Sequence, residues 1–235
     1  MIPLTLKMKR ISKLATSLPF LALSIAILLS GCGTIHRVNS EYDTTIGKKR
    51  KTTNVYQDGE LKGQLSRVAV LPMFKGEYDH MDLSLIEENI RLELAKLGLF
   101  EVISVDPEAM KELFAEERFS SIGVLPAQLI EKLHARYALD GLLFLDLSYF
   151  KAYQPVGIGI RAKLLNSDSG KLVWAADEIF DSSNPEVSNA ARKFYKRESI
   201  IAFPLQNTKS VLHSPSRFSK YVGNSLFSAI NLQKS

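Results

Sequence analysis

The chain has 235 residues, a formal charge of +5 and one cysteine, so an internal disulfide is excluded and the length suits one domain of ordinary size with extensions. Lys7, Lys9, Arg10 and Lys13 carry +4 of that charge, and no acidic residue stands among the first 31. The sequence pI of 9.2 therefore overstates the basicity of the remaining chain, and no nucleic-acid partner is expected.

The apolar run from Leu14 to Leu29 is interrupted only by Thr16, Ser17, Pro19 and Ser24. A basic n-region followed by an h-region of this length reads as a secretory signal. A bilayer span needs roughly 20 apolar residues, and this run is shorter. Leu29-Ser30-Gly31-Cys32 ends it. Leu29 suits an apolar subsite, and Ser30 and Gly31 are small enough for a protease to reach the next bond. Cys32 is the sole thiol, a liability if left free in an oxidising compartment. The four residues resemble the lipobox of bacterial lipoproteins. The resemblance implies that the Cys32 thiol receives a diacylglycerol, that the Gly31-Cys32 bond is cut, and that the new amino end is acylated. Each buried methylene contributes about 0.8 kcal/mol, and more than one chain is needed for firm attachment. The alternative is a chance Gly-Cys behind an uncleaved anchor. Gly33 stands where aspartate would retain such a protein in enteric-type bacteria, so the resemblance implies the periplasmic face of the outer membrane.

Beyond the signal (1–31), residues 32–65 are polar and turn-rich and read as a tether with a short strand around Thr53–Tyr56. Lys48-Lys49-Arg50-Lys51 suits either anionic headgroups or plain solvation. The α/β domain is expected over 66–182. Arg67–Met73 reads as a buried strand. Leu83, Ile86, Ile90, Leu94 and Leu97 predict a helix that Gly98 stops. Phe100–Val105 predicts a second strand. Asp106 and Pro107 open a helix as cap and first residue, with Met110, Leu113 and Phe114 inward. A polar link then leads to Pro126 and a helix marked by Leu129, Ile130, Leu133 and Tyr137. His134 has no His or Cys companion at metal spacing and reads as structural.

Leu139–Tyr153 reads as the most central strand. Asp146 interrupts its apolar run and needs a partner or a raised pKa if buried. In Val156–Leu164 the residues Val156, Ile158, Ile160, Ala162 and Leu164 face one way, and Gly157, Gly159, Arg161 and Lys163 the other. Ser167–Gly170 is a turn and Lys171–Phe180 the returning strand. Gly157 and Gly159 remove side chains from one face, which admits either a partner's close approach or relief of crowding by aromatics. A helical extension is expected over 183–235, with a peripheral helix at Pro185–Lys193 and a terminal one at Ser216–Leu232. Phe218, Tyr221, Val222, Leu226, Phe227 and Ile230 stripe the latter, for docking on its own domain or on a partner. Gly157, Gly159, Arg161, Phe218 and Tyr221 are thus the candidate interaction residues.

The order strand, helix, strand, helix, helix, strand, hairpin makes a mixed sheet with helices mainly on one face. Arg67–Met73, the leucine-rich helix, Leu97–Ile103, Ala138–Leu143 and the final hairpin are together similar to a superfamily of envelope lipoproteins. It includes the curli-secretion channel lipoprotein, the lipoprotein activator of penicillin-binding proteins and the amino-terminal domain of TolB. The resemblance implies a domain that binds or assembles proteins, with no cofactor, metal or catalytic residues. Two further long alternating segments that would line a curli-type pore are not identifiable, and no proline-rich tether is present. The expected function is that of a lipid-anchored accessory protein contacting other envelope proteins. The alternatives are a subunit of an oligomeric secretion channel, formed by copies of the chain, and a cell-wall or lipid hydrolase using Asp146 with Asp177 or Glu178. No H-E-x-x-H or G-x-S-x-G motif supports the last.

Overall fold

The computed structural model describes residues 50–59, 61, 65–202 and 208–230. The signal segment, the Gly31-Cys32 bond, Lys48 and Lys49 lie outside the described residues.

One mixed sheet carries the fold. Its strands are β1 (Val55–Gln57), β2 (Arg67–Val70), β3 (Glu101–Ser104), β4 (Gly141–Lys151), β5 (Gly157–Asn166) and β6 (Leu172–Asp181), in the order β1-β6-β5-β4-β2-β3. β2 runs parallel to β3 and β4, and the other neighbours are antiparallel. Parallel neighbours need a crossover. Here α1 (Ser84–Ala95) joins β2 to β3, and α2 (Pro107–Phe114) and α3 (Leu129–Tyr137) lie between β3 and β4. The β5–β6 hairpin closes through Gly170, whose φ of +65° is the left-handed position the turn requires.

Alternation along β4 divides the core in two. Leu143, Leu145 and Leu147 join the larger cluster, which contains Ile86, Ile90 and Leu94 of α1. Val187, Ala191 and Phe194 of α4 (Pro185–Ala202) and Phe218, Val222 and Leu226 of α5 (Pro215–Phe227) complete it. Leu142 and Phe144 point the other way, onto Met110 of α2 and Leu129 and Leu133 of α3. That second cluster takes no buried residue from β5, β6 or β1. Among the described residues, helices thus cover one face broadly and the other only over β2–β4.

Local signals act largely as expected. Gly98 adopts a φ of +62° behind α1. Asp106 takes the extended cap conformation before Pro107, although its carboxylate makes no capping bond. Ser214, one residue ahead of Pro215, accepts the Arg217 amide at 3.4 Å. α4 continues well past Lys193, because Val187, Ala191 and Phe194 recur at helical spacing on the core side.

The folded region starts upstream of Arg67. β1 pairs with β6, Val55 opposite Ala176 and Gln57 opposite Trp174. Ahead of it, Thr52 Oγ1 donates to the Ser225 carbonyl at 3.0 Å. Arg50 pairs with the buried Glu178 carboxylate, which also accepts the Thr53 amide at 3.0 Å and the Thr53 hydroxyl at 3.2 Å. Residues 50–57 therefore finish the sheet edge rather than the tether, and Arg50 is committed to an internal ion pair. Burial alone would raise the Glu178 carboxyl, but the Thr53 amide and the Arg50 guanidinium outweigh it and hold it below the ordinary value of 4.5. The folded state therefore binds fewer protons at this group than the unfolded chain. The stabilisation is complete above pH 4.5 and fades as pH falls through the lowered folded value. Glu178→Gln is expected to lower Tm at pH 7, and the gap from wild type should close on acidification toward pH 3. A gap independent of pH would contradict this account of the pair.

Candidate interaction surface

Asp146 is 4% exposed on the face that α2 and α3 half cover. A carboxylate there needs donors, and the link after α2 supplies them. The Ser120 hydroxyl donates at 3.0 Å, the Ser121 amide at 3.0 Å and the Ser121 hydroxyl at 2.9 Å. Lys163 Nζ donates to the Ser121 carbonyl at 2.9 Å. Upstream, Phe119 is buried edge-on to Phe114, and Arg118 donates to the Met73 carbonyl at 2.8 Å and to Glu87 at 3.1 Å. Four consecutive residues are thereby held to α1, α2, β4 and β5. Immediately beyond them, Ile122 is 68% exposed and Val124 99% exposed on either side of Gly123. Two apolar side chains stand in water at the tip of a loop whose base is fixed.

Beside this loop lies the open half of the sheet. Asp146, Arg161 and Asp177 occupy one row across β4, β5 and β6, and Arg161 Nε donates to Asp177 at 2.8 Å. Tyr56 and Ile179 are each about half exposed at its β1–β6 side.

The sequence-predicted residues fare differently. Gly157 and Gly159 are occupied from within the chain. A Cβ at Gly157 would lie 2.4 Å from Tyr149 Cε1, and one at Gly159 would lie 2.7 Å from Ser148 Oγ and 2.9 Å from Tyr149 Cβ. The glycines make room for the Tyr149 side chain, not for a partner. Arg161 remains on the open half, half-buried and paired. Phe218 and Tyr221 are 0% and 4% exposed. They pack beneath α5 with Phe180 and Phe194, so they belong to the core and not to a surface. The Tyr221 hydroxyl lies near Ser225 without a partner of good geometry, and burial pushes it up to about 12.

The carboxylates of the hydrolase alternative are not gathered. Glu178 lies on the opposite face from Asp146, Asp177 is engaged by Arg161, and Asp146 faces three donors. His134 Nδ1 meets the Leu139 carbonyl at 2.7 Å, tying down the end of α3. Among the described residues, no three His, Cys, Asp or Glu side chains form a group able to hold a metal, and no helix is long and apolar enough to cross a membrane.

Ile122 and Val124 escape a periodicity search because they sit in a polar link with no helical or strand register. Their available signal was indirect. Asp146 inside an apolar strand demands donors, and Ser120-Ser121 offers a hydroxyl, an amide and a second hydroxyl.

The fold and this surface define a mixed α/β domain that displays an anchored apolar loop beside a half-open sheet. No family model matches the sequence, and no curated protein does either. Among solved structures, the PelC dodecamer from Paraburkholderia phytofirmans is similar, at 12% identity over 72% of this chain and 94% of that one, with a TM-score of 0.39. Lipoprotein GNA1162 from Neisseria meningitidis is similar at 18% identity over 58% of this chain and 98% of that one, TM-score 0.40. The LpoB C-terminal domain from Salmonella enterica is similar at 18% identity over 52% and 86%, TM-score 0.37.

Proposed function

We propose that this protein is a lipid-anchored accessory protein of the bacterial envelope, held through acylated Cys32 at the periplasmic face of the outer membrane, which recruits or stabilises a protein assembly by direct contact. It uses neither cofactor nor metal and is not an enzyme. The observation that supports this best is the Ile122–Val124 tip. Single exposed apolar residues are ordinary. Here, however, a buried carboxylate with charge-assisted hydrogen bonds, a buried aromatic and an arginine hold the loop that bears them. Such fixing lowers the ordering cost of association, because the contact residues are already placed before a partner arrives. The lipid anchor raises the local concentration of chain and partner at one surface.

The test is crosslinking in intact cells from a photoreactive residue at Val124 of the full lipidated chain, with the exposed Lys193 as control position. Capture of one distinct envelope protein from 124 and not from 193 is expected. Capture of its own copies alone would transfer the reading to an oligomeric secretion-channel subunit, and no capture would overturn it. In parallel, Cys32→Ser is expected to move most of the protein from the membrane fraction to the soluble one. Unchanged attachment would remove the anchor from the proposal.

A further inference from the structure

A cavity of about 420 Å³ lies far from the loop tip in sequence, lined by Gln154, Pro155, Ser182, Ser188, Arg192 and Leu212. Its walls come from four places: the β4–β5 connection, the end of β6, one side of α4, where Ser188 and Arg192 stand a turn apart, and a 3-10 turn. The 3-10 turn Thr208–His213 adds Leu212, and His213 Nε2 lies 3.5 Å from Gln154 Nε2. Among the described lining residues none is acidic.

Arg192 is the unusual member. Its guanidinium has no carboxylate partner among the described residues, and its one side-chain contact is with Asn189 Oδ1 at 3.5 Å, the outer limit of a hydrogen bond. Arg192 is only partly buried, and its Nε is shielded from solvent without an acceptor among the described residues, so it is the outer part of the guanidinium that faces the cavity. Around it, Ser182 and Gln154 offer a hydroxyl and an amide, while Ser188 donates to the Pro185 carbonyl and forms the wall. Donors arriving from separate elements suit a tetrahedral oxyanion better than a flat carboxylate. Leu212 and Pro155 leave an apolar side against which the rest of a ligand can lie.

We propose that this cavity binds a phosphate group, with Arg192 as its principal ligand and Ser182 and Gln154 as supporting donors. Phosphate in this setting has two sources, a free phosphorylated small molecule or a phospholipid headgroup. The site does not depend on the contact surface described above.

The full chain, purified in uncharged detergent, is to be titrated with inorganic phosphate and with glycerol phosphate at constant ionic strength while Tm is followed. At a hundredfold excess over Kd, Tm should rise by roughly 5–10 °C, with chloride of equal ionic strength inactive. Arg192→Gln should weaken binding at least tenfold, with Arg192→Lys intermediate. Vesicles of phosphatidylglycerol in phosphatidylcholine separate the sources. Arg192-dependent stabilisation by glycerol phosphate together with Arg192-dependent retention on these vesicles identifies a headgroup. Stabilisation by phosphate without vesicle dependence identifies a soluble ligand. A Tm that does not saturate with phosphate, or that rises equally in wild type and Arg192→Gln, overturns the proposal. Because Arg192→Lys preserves charge and most of the volume, a folding defect confined to Arg192→Gln leaves that comparison decisive.

Discussion

Gly223→Val is expected to cost about 2–3 kcal/mol and to lower Tm by roughly 5–10 °C. Gly223 lies in α5 where that helix meets α1. A Cβ at this position would lie 3.0 Å from Glu93 Cβ and 3.1 Å from Ile90 Cα. The second of these is backbone and cannot rotate aside, so the helices must separate. Separation also stretches a polar seam between them. Asn89 Nδ2 donates to the Ser216 carbonyl at 2.8 Å and to Ser219 Oγ at 3.1 Å, and Asn224 Nδ2 donates to the buried Glu93 at 3.2 Å. Gly223→Ala adds only the first carbon, and a helix gains about 1 kcal/mol from alanine over glycine. Its loss should therefore be clearly smaller than that of valine. Thermal unfolding of both variants measures this, and a valine variant as stable as wild type would mean the helices do not approach as closely as described.

Asp146→Leu is the second large effect. Leucine keeps the volume but removes the acceptor that holds the Ser121 amide and both serine hydroxyls. Each hydrogen bond to a charged group is worth roughly 1.5–3 kcal/mol when its partner is stranded. The loop can turn outward and regain water, so the net cost to global stability should be about 2–4 kcal/mol, less than the sum. The local consequence is sharper. The Ser121 amide should lose its protection from hydrogen exchange, and crosslinking from Val124 should fall with it. Asp146→Asn keeps one acceptor oxygen and should lie between. If exchange over residues 116–125 is unchanged in the leucine variant, Asp146 does not anchor the loop and the contact-surface proposal loses its main support.

How far the sequence reaches depends on the range over which each signal acts. The β4–β5–β6 alternation, the α1 stripe and the helix start at Asp106-Pro107 are written in neighbouring residues and could be read directly. A short strand around Thr53–Tyr56 could be read too, but its place at the sheet edge could not, because its partners lie at 174–176. Nor does Arg50 differ from its basic neighbours until Glu178 is brought beside it. The two glycines of β5 were legible as absent side chains, but the Tyr149 ring that fills the space is a cross-strand neighbour. Phe218 and Tyr221 were legible as an apolar stripe, while only tertiary packing decides whether such a stripe meets its own sheet or another molecule. The loop tip at Ile122 and Val124 was the least visible, since exposure itself leaves no period.

The place of β1 has a consequence for the order of folding. Its partner strand β6 is made late in the chain, so residue 55 cannot pair until residue 176 has been delivered and the β5–β6 hairpin has closed. Closing that long a loop is entropically expensive, and contacts of large sequence separation form slowly. The β4–β5–β6 meander is local and needs no such wait. During synthesis, then, this early segment is the last part of the described domain to be seated, and the Arg50–Glu178 pair can form only at that final step. Kinetically the N-terminal edge is a latch, closed after the rest of the domain is built.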